Sequence, residues 1–256
     1  MFGARFRTLL QYRAAAFAGF GTQLFWGLIR MMIFAAFYEN ASAAAPMSYE
    51  QVVAYVWLGQ AFLGLYPYRI DRELEHMIRT GNVAYELLRP IDLYFFWYAR
   101  SIANRTAPTL LRATPMLVVA TLAGWIHWPH AGRLAGFAAL MGVAVLLSSA
   151  VTMLMNVSMF WTISGRGINA VISSTMFLLS GMIVPLPMFP EAVQPVLSFL
   201  PFRAMCDVPF RLFAGHLALR ELPAVVAHGL LWAAGLVLVG RWMLARAARR
   251  LVIQGG

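Results

Sequence analysis

Six apolar runs, at residues 15–38, 51–68, 107–126, 134–161, 168–188 and 222–241, constrain this chain more than any other feature. About 20 apolar residues in helical form cross the hydrocarbon core of a bilayer, where backbone amides must be satisfied within the protein. The fourth run is long enough to tilt or to project beyond the bilayer. Charged residues make up only 12% of the chain, too few to cover a water-facing surface. The reading is therefore an all-α polytopic membrane protein with six transmembrane helices, occupying 1–256 as a single domain. An even number of spans puts both termini on one side.

The basic residues test that arrangement. All 20 are Arg. Arg5, Arg7 and Arg13 precede the first run, Arg69, Arg72, Arg79, Arg89, Arg100 and Arg105 fall between the second and third, Arg166 follows the fourth, and Arg241, Arg246, Arg249 and Arg250 follow the sixth. The other side receives Arg133, Arg203, Arg211 and Arg220, the last three among Glu191, Asp207 and Glu221. The positive-inside rule places both termini in the cytoplasm. It also accounts for the net charge of +10 without a nucleic-acid partner. Residues 1–14, where Phe2, Phe6, Leu9 and Leu10 recur near helical spacing, read as an amphipathic interfacial helix.

Residue types exclude several chemistries. Without Lys there is no nucleotide-hydrolysing P-loop and no Schiff base. Cys206 stands alone, so there is no internal disulfide and no Cys-cluster metal site. His127 and His130, beside Trp125 and Trp128, read as an interfacial belt and not as a metal site. No cofactor is expected in this chain.

Two segments are not spans. Ile70–Pro90 reads IDRELEHMIRTGNVAYELLRP, with Ile70, Leu74, Met77 and Ile78 on one helical face and Asp71, Arg72, Glu73, Glu75 and Arg79 on the rest. Such a stripe suits a groove on a soluble partner, or else the bilayer surface; the mixed charges favour the partner. Residues 184–215 combine Pro185, Pro187, Pro190, Pro195 and Pro201 with Met188, Phe189, Leu197 and Phe202. Too proline-rich for one helix and too apolar for a solvated loop, they read as re-entrant half-helices or as an interfacial cap. Arg30 lies inside the first run. An intramembrane charge faces protein or a cavity, so Arg30 belongs to a translocation path or to a structural ion pair. Glu39 is too far along the helix to be its partner.

The run ELEHMIRTGNVAYELLRPIDLYFFWYARSIANR, Glu73 to Arg105, resembles the cytoplasmic segment of ABC type-2 exporter permeases, in a bacterial branch often encoded as paired permeases beside an ATPase. The run FLLSGMIVPLPMFPEAVQPVLSFLPF, Phe177 to Phe202, is similar to the same family's block around its fifth span. The resemblance implies a non-catalytic permease of the bacterial inner membrane that pairs with a second copy or a paralogue. A separate P-loop subunit would bind ATP and Mg and drive outward transport of a drug-like, peptide or lipid-like substrate. It further implies a coupling helix between spans two and three, with Ile70, Asp71, Arg72, Glu73, Leu74, Glu75, Met77, Ile78 and Arg79 serving the ATPase, and re-entrant helices between spans five and six. The competing readings are a membrane-embedded lipid-modifying enzyme, for which Asp207 and His216 are the only acid–base candidates, and a non-transporting scaffold.

Overall fold

The computed structural model describes residues 13–41, 45–67, 69–162 and 165–249. Most of the interfacial helix expected over 1–14 lies outside that range. Among the described residues all regular structure is helical. The helices are α1 (Arg13–Asn40), α2 (Tyr49–Ala61), α3 (Arg72–Arg79), α4 (Val83–Leu87), α5 (Leu93–Leu122), α6 (Ala131–Thr162), α7 (Arg166–Leu179), α8 (Gln194–Phe199), α9 (Asp207–Phe213) and α10 (Leu222–Ala248), with short 3-10 turns at Leu63–Leu65, Leu186–Met188, Pro201–Ala204 and Leu219–Glu221.

Among the described residues three helices are long and apolar enough to cross a membrane, at Gly19–Asn40, Ala131–Thr162 and Leu219–Ala248. The third expected run belongs to α5, which starts earlier than its apolar stretch because Asp92 caps it, accepting from the Phe95 amide at 3.1 Å. Arg100, Arg105 and Arg112 then ride inside a 30-residue helix. The second and fifth runs are shorter as helices than as apolar sequence. At 13 and 14 residues, α2 and α7 reach about 20 Å, short of the roughly 30 Å core.

Close packing explains where they stop. Beyond α2, Gly64 lies so tight against α5 that a Cβ there would sit 2.3 Å from the Thr109 hydroxyl. The freed carbonyls of Leu65 and Tyr66 are taken by the Arg105 guanidinium at 3.1 and 2.8 Å. Beyond α7, Gly181 turns the chain at φ +82°, a left-handed conformation that L side chains resist.

α2 is the centre of the molecule. Every residue from Val52 to Ala61 is buried, as a helix apolar all round must be, and Trp57 stacks on Trp125 with ring centroids 4.4 Å apart. α1, α5 and α9 pack around it, and α6 and α10 lie against each other along their length. α6 links the two ends of the molecule. Asn156, near its C-terminus, meets the start of α3, while Gly136, about 30 Å away along the axis, lies under Leu212, Leu219 and Leu222.

Candidate functional site

At one end, Asp71 organises α3. Its Oδ1 caps the helix by accepting from the amides of Glu73 and Leu74, at 3.0 and 3.4 Å. The same carboxylate takes a bidentate pair from Arg100, Nε to Oδ2 at 2.9 Å and Nη2 to Oδ1 at 3.1 Å, and a bond from Asn104 at 3.3 Å. The Asp71 amide donates to Asn156 Oδ1 of α6 at 3.0 Å. Arg100 also pairs with Glu73, and the Gly165 amide donates to Glu75 at 3.4 Å. The short helix is thus clamped onto α5, α6 and the start of α7.

This clamp changes the reading of the apolar stripe. Leu74 is 1% exposed and packs with Trp97, Met153, Val157 and Leu244, while Ile70, Met77 and Ile78 are half-buried against the same cluster. The stripe is covered by the chain itself and is not left open for a partner. Asp71 and Glu75 also turn inward. Arg72, Glu73 and Arg79 of the expected set remain on the open face, and His76 joins them. Next to that face lie Tyr85, Leu88 and Ile91, all exposed. Sequence reasoning missed His76 and these three. It also missed Arg100, Asn104 and Asn156 as the anchor; the available signal was the spacing of Arg100 and Asn104 one turn apart on a buried helix.

At the opposite end the organising residue is Asp207, fully buried. Its Oδ1 accepts from the Leu186 amide at 2.9 Å and the Tyr55 hydroxyl at 3.3 Å; its Oδ2 accepts from Arg211 at 3.1 Å. Tyr55 also donates to the Gly181 carbonyl at 2.8 Å, and the Asp207 amide donates to the Ser180 carbonyl at 3.1 Å. Arg211 Nε donates to His216 Nδ1 at 3.1 Å, and His216 Nε2 lies 3.0 Å from the Pro46 carbonyl. Because Nδ1 accepts, Nε2 carries the proton. Burial and the Arg211 charge lower the pKa of this imidazole below its ordinary 6.5. Asp207 and His216 are therefore joined through Arg211, but the aspartate has both oxygens engaged and no access to a reactant.

The proline-rich stretch that precedes Asp207 folds as short α8 and two 3-10 turns, joined by extended residues and a turn at 190–193. Gln194 Nε2 holds it by donating to the carbonyls of Pro187 and Phe189, at 3.2 and 2.8 Å.

Between the two ends stands Arg30. It donates to the carbonyls of Met182, at 2.6 Å, and Ile183, in the break after α7. No described carboxylate pairs with it. Arg30 lines two apolar cavities, of about 690 Å³ with Gln23, Trp26 and Gln60, and about 320 Å³ with Phe34 and Phe37. The Arg112 guanidinium lies against Gly19 of α1 and lines a third cavity with Phe177.

Residues 21–255 match a family model described as ABC-2 family transporter protein. No curated protein matches the chain.

Proposed function

The chain belongs to the ABC-2 family of membrane transporters, and from that premise we propose that it is the permease subunit of an ATP-driven exporter. The observation that carries this reading is the clamped helix α3. A lever must be rigid toward the transporter and open toward its motor. The inner face of α3 is tied to α5, α6 and the α7 start through Asp71, Arg100, Asn156 and Glu75, and its outer face presents Arg72, Glu73, His76 and Arg79.

In this reading the α3 end is cytoplasmic and both termini lie on that side of the bacterial inner membrane. A separate P-loop subunit, holding ATP and Mg, docks on the open face of α3 and on Tyr85, Leu88 and Ile91. Six spans cross the bilayer, the second and fifth being α2 and α7 continued by non-helical chain. Such chain is tolerated at membrane depth where protein covers it, and the guanidinium groups of Arg105 and Arg30 serve its free carbonyls. Residues 184–215 form the re-entrant region facing out. Two permease copies, identical or paralogous, enclose the path. When the ATPase dimer closes on nucleotide, α3 and the long helices move as one body, switching the dimer between inward and outward access. The cargo is a hydrophobic or amphiphilic molecule taken from the cytoplasm or inner leaflet.

The test is co-purification from native membranes in mild detergent, followed by transport in liposomes. A P-loop ATPase is expected to co-purify, and Arg72→Glu with Arg79→Glu is expected to release it while the permease keeps its thermal stability. ATP-dependent cargo movement must then be lost in the variant. Retention of the ATPase and of transport by the variant would overturn the role of α3.

A further inference from the structure

Five cavities run in series from the α3 end to the opposite end. The first, about 170 Å³ beneath α3, shares Gly64 and Tyr66 with the second, of about 220 Å³. The second shares Leu63 and Phe177 with the 690 Å³ cavity, which shares Arg30 and Ile183 with the 320 Å³ cavity. That one shares Met188 with the last, of about 890 Å³, under the proline-rich segment. Each of the five is lined by at least one arginine: Arg105, Arg112, Arg30, Arg30 again, and Arg203 with Arg211. Acidic residues line only the terminal two, where Asp71 is engaged by Arg100, and Glu191 and Glu221 stand at the far end.

The middle arginines are not explained by the fold's own carboxylates. The Nε of Arg112 is buried without a hydrogen-bond partner among the described residues, and no described carboxylate forms a salt bridge with Arg112 or with Arg30; Arg203, in the last cavity, has Asp207, Glu191 and Glu221 near it. In the central cavity Gln23 is 7% exposed with its Oε1 unpartnered, and Gln60 is 6% exposed. Apart from Thr22 the remaining walls are apolar, Trp26, Ile33, Phe34 and Phe177 among them. A cation held at membrane depth beside a cavity, without a counter-ion, attracts an anion, and a guanidinium binds carboxylate or phosphate through paired hydrogen bonds. An apolar cavity with a few placed polar groups selects a ligand with an apolar body and one polar head.

We infer that the substrate is an anionic amphiphile, whose carboxylate or phosphate head passes from Arg112 to Arg30 and on to Arg203 while its apolar body occupies the cavities around Arg30. This rests on the exporter reading for the direction of movement, but binding itself requires neither ATP nor a partner.

The experiment therefore uses the full chain alone, in nanodiscs of zwitterionic phosphatidylcholine. Dansyl-undecanoate reports occupancy of the central cavity by energy transfer from Trp26, with Trp26→Phe as the control. Dodecyl phosphate, dodecyltrimethylammonium and inorganic phosphate are the competitors. Dodecyl phosphate is expected to displace the probe at a concentration about tenfold below that of the ammonium compound, and inorganic phosphate not at all. Arg112→Gln, which breaks no hydrogen bond or ion pair among the described residues, is expected to abolish most of that tenfold preference at unchanged thermal stability. Arg30→Lys should retain the preference and Arg30→Gln lose it. Should Arg30→Gln fail to fold, because the Met182 and Ile183 carbonyls lose their donor, Arg112→Gln still decides. Equal displacement by the two amphiphiles, or a preference untouched in Arg112→Gln, overturns the inference. Displacement by inorganic phosphate as effective as by dodecyl phosphate assigns the site to a free anion and overturns the amphiphile. None of these outcomes touches export, which is judged by ATP-dependent transport.

Discussion

Each end of this molecule is organised by one aspartate, and the two are used differently. Asp71 is slightly exposed and its side-chain partners, Arg100 and Asn104, come from α5, while its amide reaches α6. It fastens a separate helix to the long ones. Asp207 is sealed, and its partners are a backbone amide at Leu186, a hydroxyl from the central helix α2 and an arginine one turn on. It holds broken chain together. The first arrangement ties a separate helix rigidly to the long ones; the second replaces hydrogen bonds that an unbroken helix would have supplied.

The largest effect expected is at the sealed aspartate. Asp207→Ala leaves Arg211 without its anion and strands the Leu186 amide, a loss of about 3–5 kcal/mol for breaking a buried pair from one side. A fall in the thermal unfolding midpoint in detergent reads it. Arg100→Ala should cost toward the lower end, about 3 kcal/mol, because Asp71 is 12% exposed and keeps Asn104. Its signature is local: hydrogen exchange speeds up at 71–79 while the amides of 180–186 stay protected. If the two variants behave alike, cooperative with the whole bundle, the distinction between lever and seal fails.

A matched pair of glycines sharpens the contrast further. Gly81 and Gly181 both sit at positive φ, +75° and +82°. A Cβ at Gly81 meets nothing within 4 Å, so Gly81→Ala pays only for the left-handed backbone, about 1–2 kcal/mol. At Gly181 the same atom would lie 2.5 Å from the Tyr55 hydroxyl and 2.9 Å from Asp207 Cβ. Crowding should roughly double the loss, to about 3 kcal/mol, in the same unfolding measurement.

These details divide what could be read in the sequence from what could not. α6 and α10 follow directly from long apolar runs, and the cap of α3 is legible as Asp71 ahead of Glu73 and Leu74. The stripe on α3 was legible too, but periodicity reports only that something covers it. That the cover is Trp97, Met153 and Val157 depends on chain far away. The ends of α2 and α7 were hidden for a similar reason. Hydropathy continues smoothly through Gly64 and Gly181, and only the approach of Thr109 or Tyr55 makes either a stop. Arg30 is legible as an intramembrane charge, yet carbonyl partners in a broken segment leave no trace in side-chain sequence.

The smallest effect concerns pH, and it belongs to the Asp207 end. His216 accepts from Arg211 through Nδ1, so its neutral form fits the folded state; Asp207 and Glu221 nearby favour the charged form but do not outweigh burial and Arg211. Since the folded pKa lies below the ordinary 6.5, the unfolded chain takes up the proton first as pH falls. The contribution of His216 is complete above 6.5 and declines from there down through the depressed folded value. Exchange at 211–217 should therefore accelerate on acidification across that window, as protonated Nδ1 gives up the Arg211 bond, while Nε2 keeps its bond to the Pro46 carbonyl. His216→Gln should flatten this dependence while leaving the Asp71 clamp untouched. A dependence unchanged in that variant would place the titration elsewhere, and an acid response of equal size at 71–79 would mean that the two ends open as one.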